Sequence, residues 1–172
     1  MNHSIEIQVD EELLDDGSSI DEAELLAVIA RTLQRCAQPE AALTLVLTDN
    51  AAVQQLNRDY RGVDAPTDVL SFSSQEDVDS APPAIHGLPD EISAALNQYL
   101  GDIIIAYPYA VAQAATYQNS VGAELRLLTV HGVLHLLGYD HGTPEEEAAM
   151  WALQREILTP FGDADLTNRS YE

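Results

Sequence analysis

The segment that most limits what this chain can fold into is residues 102–106, which have the sequence Asp-Ile-Ile-Ile-Ala. Consecutive isoleucines leave no polar side on an extended strand, and strands of this kind are buried on both faces in the middle of a sheet. We therefore expect this segment to be the central strand of the fold. The chain's 172 residues are enough for one domain to form around it.

Three further strands and a series of helices are predicted around that strand. Apolar spacing predicts the other strands over residues 5–9, 43–47 and 68–72. The first helix is expected to begin at a capping box formed by Ser19 and Glu22. The remaining helices are predicted over residues 50–59, 108–118, 122–137 and 144–158. This order predicts an α+β fold, an α/β sandwich in which a four-stranded mixed sheet packs with about five helices.

The organisation of the chain is that of a single unit. No repeat or linker divides it, so residues 1–172 are predicted to form one domain. Between Ser73 and Tyr99 the sequence is rich in Pro, Ser, Asp and Gly and shows no clean apolar period. Because this stretch is long for a connection in a compact domain, we expect a flexible insertion over residues 73–99.

Composition and charge exclude several classes of protein. The 46% hydrophobic and 21% charged residues are typical of a globular domain and exclude a disordered or fibrous chain. Seven basic residues, all arginine, against 29 acidic ones give a net charge of −22, which excludes general coating of DNA or RNA. Contact with RNA must therefore be local. The single cysteine excludes an internal disulfide, and no apolar run is long enough to span a membrane, so we expect a cytoplasmic protein.

Three histidines, His131, His135 and His141, lie within eleven residues, with Gly138 before the last of them. Histidines four residues apart lie on one face of a helix, and a left-handed glycine can turn the chain back beneath that face. Three imidazoles would leave the fourth position of a tetrahedral zinc open, which is typical of a catalytic site. The alternative is that these histidines are ordinary packed residues of the core.

The residue after the first histidine, Gly132, separates this pattern from that of the metal-dependent proteases. Those enzymes carry a glutamate at the corresponding position, where it acts as the general base. A metal could still lower the pKa of a bound water to about 7 and polarise a phosphoryl oxygen without that carboxylate. Peptidase activity is therefore disfavoured. Asp140, beside the third histidine, either orients a metal ligand or is an ordinary turn aspartate.

The segment from His131 to His141 resembles the signature of the bacterial YbeY family, rRNA maturation factors regarded as metal-dependent endoribonucleases that cut single strands. Two earlier segments are also similar to family blocks, and the resemblance covers about residues 45–158. The first block is Asn-Arg-Asp-Tyr-Arg at 57–61 followed by Pro-Thr-Asp-Val-Leu-Ser-Phe at 66–72, and the second is Leu-Gly-Asp-Ile at 100–103.

The resemblance implies a catalytic set of His131, His135, His141 and Arg61. The three histidines are expected to bind one zinc ion (Zn²⁺) per chain, although such a tripod also takes nickel or copper. Arg61 is expected to line the cleft and bind RNA phosphate, for which a guanidinium offers a rigid fork of donors. The alternative for Arg61 is a surface ion pair with Asp59 or Asp64.

Four other polar residues stand outside this set. Asp68 and Ser71 either contribute to the cleft or have structural roles at the edge of a strand. Arg126, like Arg58, is expected to be a surface charge.

The function implied by the resemblance is a single-strand-specific endoribonuclease in 16S rRNA 3′-end maturation and ribosome quality control, with zinc activating water or polarising the scissile phosphate. The expected partners are RNA, namely the 16S rRNA precursor, and the small ribosomal subunit or a basic ribosomal protein, with no DNA and no membrane. The alternative is a non-catalytic ribosome assembly factor with a mainly structural zinc. The charge of −22 suits that alternative, because an acidic protein complements basic ribosomal proteins.

Overall fold

A four-stranded mixed sheet forms the centre of the structure. The computed structural model describes residues 3–74, 89, 92 and 98–167. The strands are β1 (Ser4–Val9), β2 (Ala42–Thr48), β3 (Val69–Ser73) and β4 (Tyr99–Ala106), in the spatial order β1-β2-β4-β3. The first three strands in this order run parallel, and β3 pairs antiparallel with β4 at the edge. The predicted mixed sheet is therefore confirmed.

Five α-helices accompany the sheet in the described part of the chain, as the sequence predicts. They are α1 (Glu22–Arg35), α2 (Asn50–Arg61), α3 (Tyr107–Thr116), α4 (Val121–Leu136) and α5 (Pro144–Leu158). Short 3-10 helices lie at Glu11–Leu14, Thr159–Phe161 and Ala164–Thr167. Among the residues described, no helix has the length and apolar character that crossing a membrane requires.

The helices cover the sheet unequally. Helices α1 and α4 pack on one face, where Ile103 and Ile105 of β4 are fully buried. Ile104 points to the other face and packs against Val53 of α2. Helix α5 lies outside α4 and forms a second apolar cluster with it. The strand with three consecutive isoleucines is thus covered on both faces, as its sequence requires.

The N-terminal ends of α1 and α5 differ in how well the sequence predicts them. The predicted cap at Ser19 is wrong, because the Asp21 side chain accepts from the Glu24 backbone N–H at 3.1 Å and caps α1. Aspartate is as good an N-cap as serine, so the sequence contained two competing signals. At α5 the Thr143 side chain is the cap and Pro144 is the first helical residue, in agreement with the prediction.

Most of the predicted flexible insertion over residues 73–99 lies outside the described residues. Its two ends are described: Ser73 is the last residue of β3 and Tyr99 is the first residue of β4. Because Ser73 pairs with Gly101 in the antiparallel register, the segment leaves and re-enters the sheet at the same end. This geometry is compatible with the single domain that the sequence predicts.

The prediction that Arg126 is a surface charge is wrong. Its side chain is only 11% exposed, and it bonds to Asp163 through Nε at 2.5 Å and to Glu24 through Nη1 at 2.7 Å. These bonds tie α4 to α1 and to the segment after α5, so the burial of the charge is compensated by two carboxylates. Arg58 does lie at the surface, where it faces Asp59 and Asp64.

Candidate metal centre and cleft

The last two turns of α4 place His131 and His135 one above the other. The helix is buried along most of its length, and the His131 side chain is only 3% exposed, while His135 is half-buried. The two ring centroids are 4.5 Å apart, and the two Nε2 atoms are 3.0 Å apart. The spacing of four residues therefore has the effect that the sequence predicts.

The chain reverses directly after α4 at Gly138, whose φ of +96° is left-handed. The Gly138 N–H donates to the His135 carbonyl at 3.0 Å, and the Tyr139 N–H donates to the Leu134 carbonyl at 3.0 Å, which is the hydrogen-bond pair of a Schellman motif. A Cβ at this position would meet nothing within 4 Å, so the backbone conformation alone favours glycine. The turn returns His141 toward the two helical histidines, as expected.

Asp140 stabilises this turn. Its side chain accepts from the His141 backbone N–H at 2.8 Å. Of the two roles that the sequence left open for Asp140, this hydrogen bond favours that of a turn aspartate.

The three imidazoles converge closely enough to hold one metal ion. Their centroids are 5.4 Å apart for His131 and His141 and 5.3 Å apart for His135 and His141. One ligand atom from each ring lies within 4.8 Å of the others. A tetrahedral zinc with bonds of about 2.0–2.1 Å needs nitrogens roughly 3.4 Å apart, so small rotations of the rings suffice. The donor set and its geometry thus fit the predicted metal, and the role of the three residues as ligands stays a prediction.

A buried glutamine that the sequence analysis missed holds the innermost histidine. The Oε1 atom of Gln154, on α5, lies 2.8 Å from Nδ1 of His131, and the glutamine is fully buried. An oxygen can only accept, so this bond places the proton of His131 on Nδ1 and leaves the lone pair of Nε2 facing His135. Histidine ligands of metals are commonly oriented in this way. Nothing in the local sequence marks Gln154, because its position depends on the packing of α5 against α4.

The surroundings of His135 favour the form that binds a metal. Burial lowers the pKa of His135, and the nearby charges of His141 and Arg61 act in the same direction, against an opposing effect of Asp140. A lowered pKa keeps the imidazole uncharged at neutral pH, and only the uncharged ring offers a lone pair to a metal.

The wall opposite the histidines is formed by the end of α2 and by the edge strand β3. A cleft of about 440 Å³ separates the walls, and Arg61, Asp68 and Ser71 line it together with the three histidines. The Arg61 side chain, at the last residue of α2, donates from Nη2 to the Ser71 carbonyl at 3.3 Å. The structure thus brings all four residues of the predicted catalytic set to one cleft.

The alternative of a surface ion pair for Arg61 is not supported. Within the described ranges no carboxylate lies within 4.0 Å of the Arg61 guanidinium, whereas Arg58 takes both candidate partners, Asp59 and Asp64. Among the described residues, the guanidinium therefore faces the cleft with no carboxylate in ion-pair contact. Such a group suits a phosphate, which accepts a forked pair of hydrogen bonds from arginine.

Gly132 lies where α4 presses closest on the sheet. A Cβ at this position would be 2.7 Å from Cγ2 of the buried Ile103, nearer than side chains tolerate. The Ser71 hydroxyl also donates to the Gly132 carbonyl at 3.3 Å, which joins the helix to β3 across the cleft floor. A side chain at this position would have to displace Ile103, so the packing of α4 on the sheet disfavours a glutamate here.

Comparison with known proteins connects this site to a family. The family model described as endoribonuclease YbeY matches residues 11–162. The YbeY endoribonuclease of Geobacillus thermodenitrificans (strain NG80-2) is 44% identical over 161 residues, which cover 91% of this chain and 97% of the relative. That of Moorella thermoacetica is 48% identical over 147 residues, which cover 81% and 88%. The chain belongs to the endoribonuclease YbeY family.

The resemblance that the sequence blocks predict is confirmed by this membership, which assigns the chain to the endoribonucleases, enzymes that hydrolyse RNA. A Thermotoga maritima protein whose structure was solved in solution matches the fold with a TM-score of 0.53, at 22% identity over 96% of both chains. The three histidines and Arg61 therefore lie in the cleft of a YbeY-family fold.

Proposed function

We propose that this YbeY-family protein is a zinc-dependent endoribonuclease that cuts single-stranded RNA during 16S rRNA 3′-end maturation and ribosome quality control. The observation that carries the proposal is the convergence of His131, His135 and His141 on one side of a cleft whose other side presents Arg61. Three neutral nitrogen ligands at a solvent-facing wall are typical of a catalytic zinc site, which keeps one position for water or substrate.

The residues of the cleft divide the work between the metal and the phosphate. Zinc held by the three imidazoles would supply a Lewis acid that activates water or polarises the scissile phosphate. Gln154 fixes the ring of His131 with Nε2 turned toward the metal position. Arg61 binds the phosphate and offsets the negative charge that develops on its oxygens during hydrolysis. In this arrangement the three histidines, through the metal, and Arg61 act on the same phosphate from the two sides of the cleft.

The substrate is expected to reach this site through local contacts. With a net charge of −22 and no lysine, the protein offers RNA no extended basic surface. A few contacts inside the cleft then have to recognise the RNA. This favours unpaired RNA, because binding of a duplex relies on many contacts between basic residues and phosphates.

A second candidate follows from the same charge. The protein could act as a non-catalytic assembly factor that docks in the cytoplasm on the small ribosomal subunit through a basic ribosomal protein, with zinc in a structural role. Acidic and basic surfaces attract each other at long range and assemble quickly, which supports this candidate. The position of the histidines argues for the nuclease, since His135 and His141 are only half-buried and line the cleft.

The two candidates are separated by cleavage of a single-stranded RNA that carries the 16S 3′ end. We would compare the native protein with His135→Ala and Arg61→Glu, and use Arg58→Glu as the control. Arg58→Glu changes the charge by the same amount on the same helix. Arg58, however, faces Asp59 and Asp64 and does not line the cleft. The nuclease predicts cleavage by the native and control proteins and none by the two cleft variants, with all four folded.

Equal cleavage by all four proteins would identify a contaminating nuclease and overturn the assignment of the site. No cleavage by any of them, together with binding to the small subunit, would favour the assembly factor. In that case His135→Ala should also lower the melting temperature strongly, because loss of a structural metal is loss of folding free energy.

A further inference from the structure

An exposed tyrosine stands beside the cleft arginine in the chain. Tyr60 is 71% exposed, the largest exposed fraction among the large apolar side chains in the described part of the structure. An exposed tyrosine ring offers a large flat surface on which another group can pack. Val63, three residues later, is also 50% exposed.

The ring of Tyr60 is held in place although it is exposed. It meets the ring of Phe72 edge to face, with centroids 5.4 Å apart and an interplanar angle of 66°. Phe72 in turn packs on the cluster of Val53 and Leu70 between α2 and the sheet. An edge-to-face contact covers at most one face of the tyrosine, so a flat π-surface stays open to solvent on a fixed support.

The position of Tyr60 relates this surface to the cleft. Phe72 and Ser71 are neighbours on the edge strand β3 and point to opposite faces of it. Ser71 lines the cleft and accepts from Arg61, while Phe72 supports Tyr60 on the α2 side. Tyr60 and Arg61 thus contact β3 at neighbouring residues, Tyr60 through the ring of Phe72 and Arg61 through the carbonyl of Ser71. Because Tyr60 and Arg61 are consecutive residues at the end of α2, a strand with one phosphate at Arg61 reaches Tyr60 by passing over the edge of β3.

The charge of the protein shows why such a contact is needed. Of the seven arginines, Arg61 is the one that lines the cleft among the described residues, and 29 acidic residues repel the RNA backbone. Stacking of a base on an aromatic ring needs no charge on the protein. It also requires an unpaired base, since the bases of a duplex are already stacked on one another.

We propose that Tyr60 forms a stacking subsite for one unpaired nucleobase, flanking the phosphate that Arg61 binds. The subsite takes any base, because every base has a π-face, and it selects single strands over duplexes. This inference deepens the proposed ribonuclease function and rests on it. Tyr60 binds substrate and takes no part in the bond-breaking step.

The test compares Tyr60→Ala, Tyr60→Phe and Tyr60→Trp with the native protein on a short single-stranded RNA. A parallel set of RNAs carries an abasic ribose at one position after another. The matched control is Tyr117→Ala, because Tyr117 is another exposed tyrosine, 43% exposed, that follows α3 and is not next to Arg61 in the chain. Initial rates give KM and kcat, and fluorescence anisotropy in a His135→Ala background gives Kd without cleavage.

Tyr60→Ala should raise KM and Kd by about five- to a hundredfold, the range for loss of one stacked base, and leave kcat nearly unchanged. The phenylalanine and tryptophan variants and the Tyr117 control should bind like the native protein. One abasic position should weaken native binding by the same factor and add nothing to the effect of Tyr60→Ala. That lack of additivity is the specific signature of one ring on one base.

Two outcomes overturn the proposal. If Tyr60→Ala cleaves and binds like the native protein, the subsite is absent while the ribonuclease function stands. If the native protein neither cleaves nor binds single-stranded RNA, both the ribonuclease and the subsite are overturned.

Discussion

The two walls of the cleft are built in opposite ways. On the histidine wall the side chains are supplied by one contiguous segment, and His131 is 3% exposed under the cover of α5. On the arginine wall the side chains come from α2 and the edge strand β3, and Arg61 is exposed. The first wall is anchored by a buried histidine that a hydrogen bond holds to α5. The second presents its groups to solvent and is anchored by few contacts.

The difference follows from what each wall has to bind. A metal ion needs lone pairs at fixed distances, which burial and supporting hydrogen bonds provide. An RNA strand is a large ligand, so the side chains that bind it have to be exposed to solvent. Substitutions on the histidine wall should therefore change the affinity for the metal, whereas substitutions on the arginine wall should change the handling of RNA with the metal in place.

The largest effect is expected from the removal of a metal ligand. His141→Ala should lower the affinity for zinc by about a thousandfold, since each ligand carries a large share of the binding free energy. The native chain should bind one zinc by titration calorimetry. The melting temperature of the metal-free variant should match that of the metal-free native protein, because His141 is only half-buried. Unchanged zinc affinity would show that this histidine is not a ligand.

The next effect is expected on the other wall. Arg61→Ala should lower kcat/KM for RNA by about a hundredfold, the scale for losing a donor to a developing negative charge. Arg61→Lys should recover only part of this loss, because an ammonium keeps the charge but lacks the planar fork of a guanidinium. Both variants should bind zinc as the native protein does. A loss of zinc binding in either variant would contradict the separation of the two walls.

A smaller change in zinc affinity is expected from the support of His131. Gln154→Leu removes the acceptor 2.8 Å from Nδ1 and should weaken zinc binding by about ten- to a hundredfold. Gln154→Glu keeps an oxygen in that place and should retain the affinity. Zinc titration at neutral pH distinguishes the two. If the Gln154→Leu and Gln154→Glu variants bind zinc with equal affinity, the hydrogen bond does not orient the His131 ring.

The smallest effect is expected on stability, at the contact between helix and sheet. Gly132→Ala should lower the free energy of unfolding by up to about 2 kcal/mol, because overpacking costs about 1–3 kcal/mol and the gain in helix propensity offsets about 1 kcal/mol of this. The clash is with the branched Cγ2 of Ile103 in the central strand, which has no space to move. Gly142→Ala is the control, because its Cβ would lie 3.6 Å from the nearest atom. Urea denaturation measures both, and equal stabilities would contradict this account.

The sequence predicted best what depends on neighbours along the chain. Helix α5 begins and ends at the predicted residues Pro144 and Leu158, and Gly138 makes the predicted turn, because caps, prolines and left-handed glycines act locally. Alternation and apolar runs also gave four strands within a few residues of their observed ends. They did not give the spatial order of the strands, which depends on crossovers between distant segments.

The misses depend on contacts between distant parts of the chain. Arg126 is buried because Glu24, 102 positions earlier, and Asp163, 37 positions later, converge on it. Gln154 supports His131 across 23 positions. A polar residue in a helix looks the same in the sequence whether it faces water or a buried partner. The three histidines could therefore be predicted from their spacing, and Arg61 from the family resemblance. The residues that support the site could be identified only in the structure.

The short separation of the three histidines also bears on how the protein reaches its folded state. Closing a loop of ten residues costs little chain entropy, and it requires only the end of α4 and the turn at Gly138. Arg61 and Ser71 are also ten positions apart, but bringing them to the histidines needs contacts across the fold, such as the Ser71–Gly132 hydrogen bond over 61 positions. The capacity to hold a metal can thus form early and locally, while the capacity to hold RNA forms only when long-range contacts are complete.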